Sequence, residues 1–130
     1  MSYYHAKTVA RPFDQVVAET REALSQEGFG VITEIDVRKT MKAKIGEDFR
    51  PYLILGACNP RLAYQALQLE DKVGIMLPCN VIVQDAGDGR TEVAAVDPVA
   101  SMAAIENDAL KEKAAMVGDL LRKAIDRIAP

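Results

Sequence analysis

The chain has 130 residues, 49% of them hydrophobic and 27% charged, with 16 Lys and Arg against 19 Asp and Glu for a net charge of −3. That is one domain's worth of chain, with enough apolar material for a core that needs neither disulfide nor metal, and it excludes intrinsic disorder. The acidic balance, with basic residues scattered among acids, leaves no basic stripe of the kind that nucleic-acid binding uses.

The longest apolar run, residues 73–83, is broken by Pro78 and Asn80 and is too short and too polar to span a bilayer. The first thirteen residues hold no apolar signal core. Two cysteines without a secretion signal make no disulfide framework. The expected setting is the cytoplasm, with no membrane and no nucleic-acid partner.

In chain order, residues 3–9 read as a first strand. Arg11-Pro12 opens a helix, with Pro12 at an early position where its missing N–H costs nothing. Phe13, Val16, Val17, Thr20 and Leu24 then fall on one face, and Gly28 suits a left-handed stop. From Phe29 the period changes to two. Phe29, Val31, Thr33 and Ile35 are expected on one face of a strand, with Glu34 and Asp36 together on the opposite one. Residues 38–45 form a short helix that Gly46 ends.

Residues 52–58 are apolar on both faces, as in a central strand. Asn59-Pro60 reads as a helix start, with Asn as N-cap and Pro in the first helical position. Leu62, Ala63, Ala66 and Leu67 give that helix its stripe. Residues 73–77 lead to Pro78-Cys79-Asn80 and Val81-Ile82-Val83, where Pro78 predicts an edge or a bulge rather than regular pairing in mid-sheet. Gly87-Asp88-Gly89 marks a hairpin, and residues 91–96 return from it. The last helix starts near Asn107 or Asp108, with Leu110, Ala114, Val117, Leu121, Ile125 and Ile128 on one stripe. This order predicts an α+β domain with a mainly antiparallel sheet and the final helix on one face.

Gly56-Ala-Cys-Asn-Pro60 and Leu77-Pro-Cys-Asn-Val81 resemble motifs of the uncharacterised family Domain of Unknown Function 302. The segment Gly28-Phe-Gly-Val-Ile-Thr-Glu-Ile-Asp-Val37, Lys44-Ile-Gly46, Tyr52-Leu-Ile-Leu-Gly56, Ala63-Tyr64, Ala66-Leu67 and Asp97-Pro98 extend the resemblance over residues 28–98. It implies a TATA-binding-protein-like topology, strand, helix, four strands, helix, in a bacterial or archaeal protein that forms a homodimer. It implies no activity, and a topology alone implies no DNA binding.

Several residues carry candidate chemistry. Cys58 would end a strand just before a helix N-terminus, where free N–H groups and the helix dipole favour a thiolate. Cys79 sits in a second Cys-Asn pair. Both also read as small buried hydrophobes, with the asparagines as caps. There is no Cys-x-x-Cys and a single histidine, His5, so neither a metal nor a cofactor is expected. Glu34 and Asp36 could divide acid and base roles, or form a solvated strand face with Asp36 capping the next helix. Thr33 stands where a dinucleotide fingerprint needs its third glycine, and no nucleophile has a histidine partner.

The sequence therefore favours a small-molecule binding domain. Cys58, Asn59, Cys79 and Asn80, with Glu34, Lys44 and Tyr64, would line one pocket for a ligand that free N–H donors suit to an anion. Two alternatives stay open: a thiol-dependent enzyme or sulfur carrier using Cys58 or Cys79, and a structural homo-oligomer module.

Overall fold

The computed structural model describes residues 2–130. Five strands, β1 (Tyr4–Val9), β2 (Gly30–Asp36), β3 (Tyr52–Cys58), β4 (Cys79–Gly87) and β5 (Arg90–Val96), form one sheet in the order β1-β5-β4-β3-β2. Every neighbouring pair is antiparallel. Five helices accompany it: α1 (Phe13–Gln26), α2 (Val37–Ile45), α3 (Pro60–Leu69), the single turn α4 (Pro98–Ser101) and α5 (Asp108–Arg127). Without the short helices this is the strand, helix, four strands, helix skeleton that the family resemblance implies. Among the described residues no helix is long and apolar enough to cross a membrane.

Local chemistry sets most boundaries. Asn59 caps α3 by accepting from the Leu62 N–H at 3.2 Å, with Pro60 following in the first turn. Asn107 caps α5 through the Leu110 N–H, and Asp36 caps α2 through the Lys39 N–H. Such caps satisfy helix donors that have no partner inside the helix. Gly46 ends α2 at φ 69°, a left-handed position open to glycine. Pro12 is itself the N-cap of α1, one position earlier than the sequence suggested.

The long helices α1 and α5 pack against each other and on one face of the sheet. The main core lies between them: Val16 and Leu24 from α1, Leu121 and Ile125 from α5, and Leu55, Val81, Val83 and Val93 from the strands. The remaining sheet face carries alternate residues such as Ile54, Ile82 and Ala94, which are cross-strand neighbours in sequence register. A smaller cluster, Ala66, Val73, Met102, Leu110 and Ala114, lies apart from the main core. Leu77 packs against both.

The β2 strand departs from simple alternation. Val31 pairs with Ala57 but Thr33 pairs with Gly56, so Ile32 is an extra residue. One inserted residue turns every later side chain to the opposite face. Phe29 and Val31 therefore stay with the core. Thr33 and Ile35 cross to the outer face opposite Gly56 and Ile54, and Glu34 and Asp36 pair with Leu55 and Leu53. The expectation that Phe29, Val31, Thr33 and Ile35 share one face fails at this bulge. Gly56 is required where it occurs, because a Cβ there would overlap the Thr33 hydroxyl and come within 2.7 Å of the Pro78 ring.

Residues 71–76 coil into a 3₁₀ helix that leads to Leu77. One other expectation changes. Pro78 does not mark an edge: β4 is the central strand, and Pro78 stands just before its first residue. The missing N–H of Pro78 thus costs the sheet no ladder bond. The Leu77–Pro78 peptide is cis.

Candidate functional site

Because β3 and β4 are antiparallel neighbours, the end of one and the start of the other meet at the same edge of the sheet. Cys79 pairs with Ala57, so the two Cys-Asn dipeptides become close in space although α3 and the 3₁₀ helix separate them in sequence. A cavity of about 330 Å³ lies beyond these strand ends. Its floor is Phe29, Ala57, Cys58 and Cys79. Leu62, Ala63, Ala66 and Leu67 of α3 form one wall, and Leu110, Ala114 and Val117 of α5 form the other. Leu77, Pro78, Pro98 and Met102 complete it.

The cavity occupies the junction between the main core and the smaller cluster, and its lining draws on both. Ile32, displaced outward by the bulge and 62% exposed, stands at the rim. Apolar side chains dominate the lining, and the only polar side chains in it are Cys58, Asn59, Cys79 and Lys113.

The two thiols differ. Cys58 is half-buried and Cys79 is buried, and both are free. Burial pushes the Cys79 thiol up from 9.0 to about 11, and the neighbouring Cys58 adds to the rise by charge repulsion. Desolvation penalises a thiolate in apolar surroundings, so Cys79 stays protonated at neutral pH and is a poor nucleophile.

Of the residues expected to share one pocket, Cys58, Asn59 and Cys79 line this cavity, and the rest are elsewhere. Asn80 follows Cys79 by one residue and so points to the other sheet face, where it lines a separate groove with Tyr52, Ile82, Gln84 and Glu92. Glu34, turned by the bulge, forms an ion pair with Arg21 of α1. Lys44 is exposed in the last turn of α2, and Tyr64 is 64% exposed on the outer side of α3. Asp36 is occupied as a cap and Glu34 by its arginine, so the two carboxylates form no acid–base pair in the cavity. His5 bonds Asp126 at 2.9 Å, away from both thiols. Among the described residues no group of three His, Cys, Asp or Glu side chains is placed to hold a metal ion.

Sequence reasoning missed Lys113 and the role of α5 as a cavity wall. The stripe of Leu110, Ala114 and Val117 was legible, but nothing in it separates a core contact from a cavity lining. Lys113 borders that stripe, and this was its only signal.

The family model for Domain of unknown function DUF302 matches residues 5–128. This chain belongs to the DUF302 family. The crystal structure of an uncharacterized conserved DUF302 protein from Bacillus stearothermophilus superposes with a TM-score of 0.91 at 29% identity, covering 99% of this chain and 100% of that one. None of the curated proteins matches.

Proposed function

We propose that this DUF302 protein binds a small, predominantly apolar molecule in the cavity between α3, α5 and the paired ends of β3 and β4. One observation carries the reading: where two hydrophobic clusters would otherwise pack together, about 330 Å³ is left open and lined almost wholly by apolar side chains. Ligand sites are typically ~300–1,000 Å³, mostly apolar, with a few convergent polar groups. Cys58, Asn59, Cys79 and Lys113 are such groups here. The space lies at the small end of that range, so it suits a small ligand. The free thiols fit a reducing compartment.

The thiol-enzyme alternative loses one of its nucleophiles, since Cys79 is buried and protonated, and keeps Cys58. A ligand in the cavity would lie against Cys58 whether or not that thiol reacts.

The chain has no tryptophan, so Leu67→Trp at the rim creates a single reporter. Titration with 1-octanol is expected to shift its emission saturably. Adding Ala63→Phe, which fills the cavity, should weaken binding by about tenfold or more while the far-UV circular dichroism is retained. Absence of saturable binding, or full binding in the filled variant, would overturn the reading.

A further inference from the structure

We infer that the ligand carries a single anionic head, with Lys113 as its counter-charge: the cavity takes a short-chain carboxylate, its apolar body between α3 and α5. This rests on the apolar-cavity reading and adds the chemical class of the ligand.

The lining carries charge of one sign. No carboxylate borders the cavity, although the chain has more acids than bases. The only charged side chain there is Lys113. Asn59 has its Oδ1 occupied by the Leu62 N–H and its Nδ2 beside Gly28, so it presents no free acceptor to the cavity. Cys79, held protonated by burial, is a donor. Cys79 and Lys113 thus offer hydrogens and positive charge to the space, and an acceptor head is their complement.

Lys113 also stands apart from the acids of its own helix. Ion-pair partners on a helix surface stand three or four residues away. For Lys113 those positions are Ala109, Leu110, Met116 and Val117, all apolar. Among the described residues its ammonium has no carboxylate within ion-pair distance. It is nonetheless half-buried against an apolar wall. A lysine stem covers such a wall readily while its head stays at the rim. A carboxylate placed there gains a charge-assisted bond without displacing a native partner.

Size sets the rest. Octanoate joins a short apolar body, suited to a site at the small end of the usual range, to one carboxylate head. Octanoate and 1-octanol share the body and differ in the head, so the pair separates this inference from the cavity reading beneath it.

The test is a titration of the Leu67→Trp reporter with octanoate and with 1-octanol at pH 7.5 and low salt, alone and combined with Lys113→Gln or Lys113→Arg. Octanoate is expected to bind about tenfold more tightly than octanol, as a hydrogen bond to a charged group at a partly exposed site supplies. Lys113→Gln should remove that preference and leave octanol binding unchanged, and Lys113→Arg should retain it. Equal affinities of the parent protein for the two probes would overturn the anionic head and leave the cavity reading standing. A preference that survives Lys113→Gln would overturn the role of Lys113. Failure of both probes to bind would overturn the two readings together.

Discussion

Cys58-Asn59 and Cys79-Asn80 are the same dipeptide in two neighbouring strands, one closing β3 and the other opening β4. At the first, the chain leaves the sheet at once. Cys58 is left half-buried in the cavity floor, and Asn59 turns its carbonyl oxygen to the first turn of α3. At the second, the chain continues in the sheet. Strand alternation sends Cys79 into the core and Asn80 to the opposite face, where it is exposed. What each residue does thus depends on whether the strand stops at the pair or runs on through it. A motif shared by two places in a sequence need not be one site seen twice.

The largest expected effect comes from breaking the strand pairing that brings the two dipeptides together. Gly56 lies opposite Asn80 and two residues before Cys58, with no room for a Cβ beside Thr33 and Pro78. Gly56→Val should cost about 3 kcal/mol or more, the upper range for overpacking against a rigid neighbour. Urea unfolding measures it, and a loss below about 1 kcal/mol would show that β3 and β4 separate there easily.

The thiols should also react unequally. With its pKa near 11, Cys79 is about one part in a thousand thiolate at pH 8, and it is buried besides. Iodoacetamide followed by peptide mass spectrometry is expected to modify Cys58 at least about a hundredfold faster in the native protein. The Cys79 rate should rise about tenfold per pH unit until it levels near pH 11, because the reactive thiolate gains on the thiol as pH rises. Equal rates at pH 8 would remove the asymmetry.

The smallest effect separates the asparagines. Asn59→Ala should lower stability by about 1 kcal/mol, the usual cost of an N-cap. Asn80→Ala, exposed and with no hydrogen bond of its side chain among the described residues, should stay within about 0.5 kcal/mol. Equal losses in thermal or urea unfolding would mean that the second dipeptide has a structural duty not visible in its contacts.

The parts of the fold legible in the sequence are those decided within a few residues. The caps at Asp36, Asn59 and Asn107, the left-handed Gly46 and the stripe of α5 all follow from local hydrogen bonding and helical spacing. The bulge at Ile32 was not legible, because an inserted residue shows only when the partner strand supplies the register. It is also why Glu34 was expected in the pocket and is found on Arg21. Pro78 misled for a similar reason: it forbids a ladder bond at one position, and the sequence does not say that the strand begins one residue later. Of the cavity lining, the sequence points to Cys58, Asn59 and Cys79, whereas Asn80, Lys44 and Tyr64 lie elsewhere, because a motif carries no information about facing. Lys113 needed the packing of α5 across α3, which brings together segments more than forty residues apart.

The division of the hydrophobic residues into two clusters gives the domain a seam. Side chains that face open space lack the dispersion contacts that a filled interior supplies. The smaller cluster packs α3 and the 3₁₀ helix on Leu110 and Ala114 of α5, and it meets the sheet partly through Leu77 and partly across that space. Local opening follows the least densely packed boundary. Opening of the domain would start along this seam, and an occupant of the cavity would act as mortar in it.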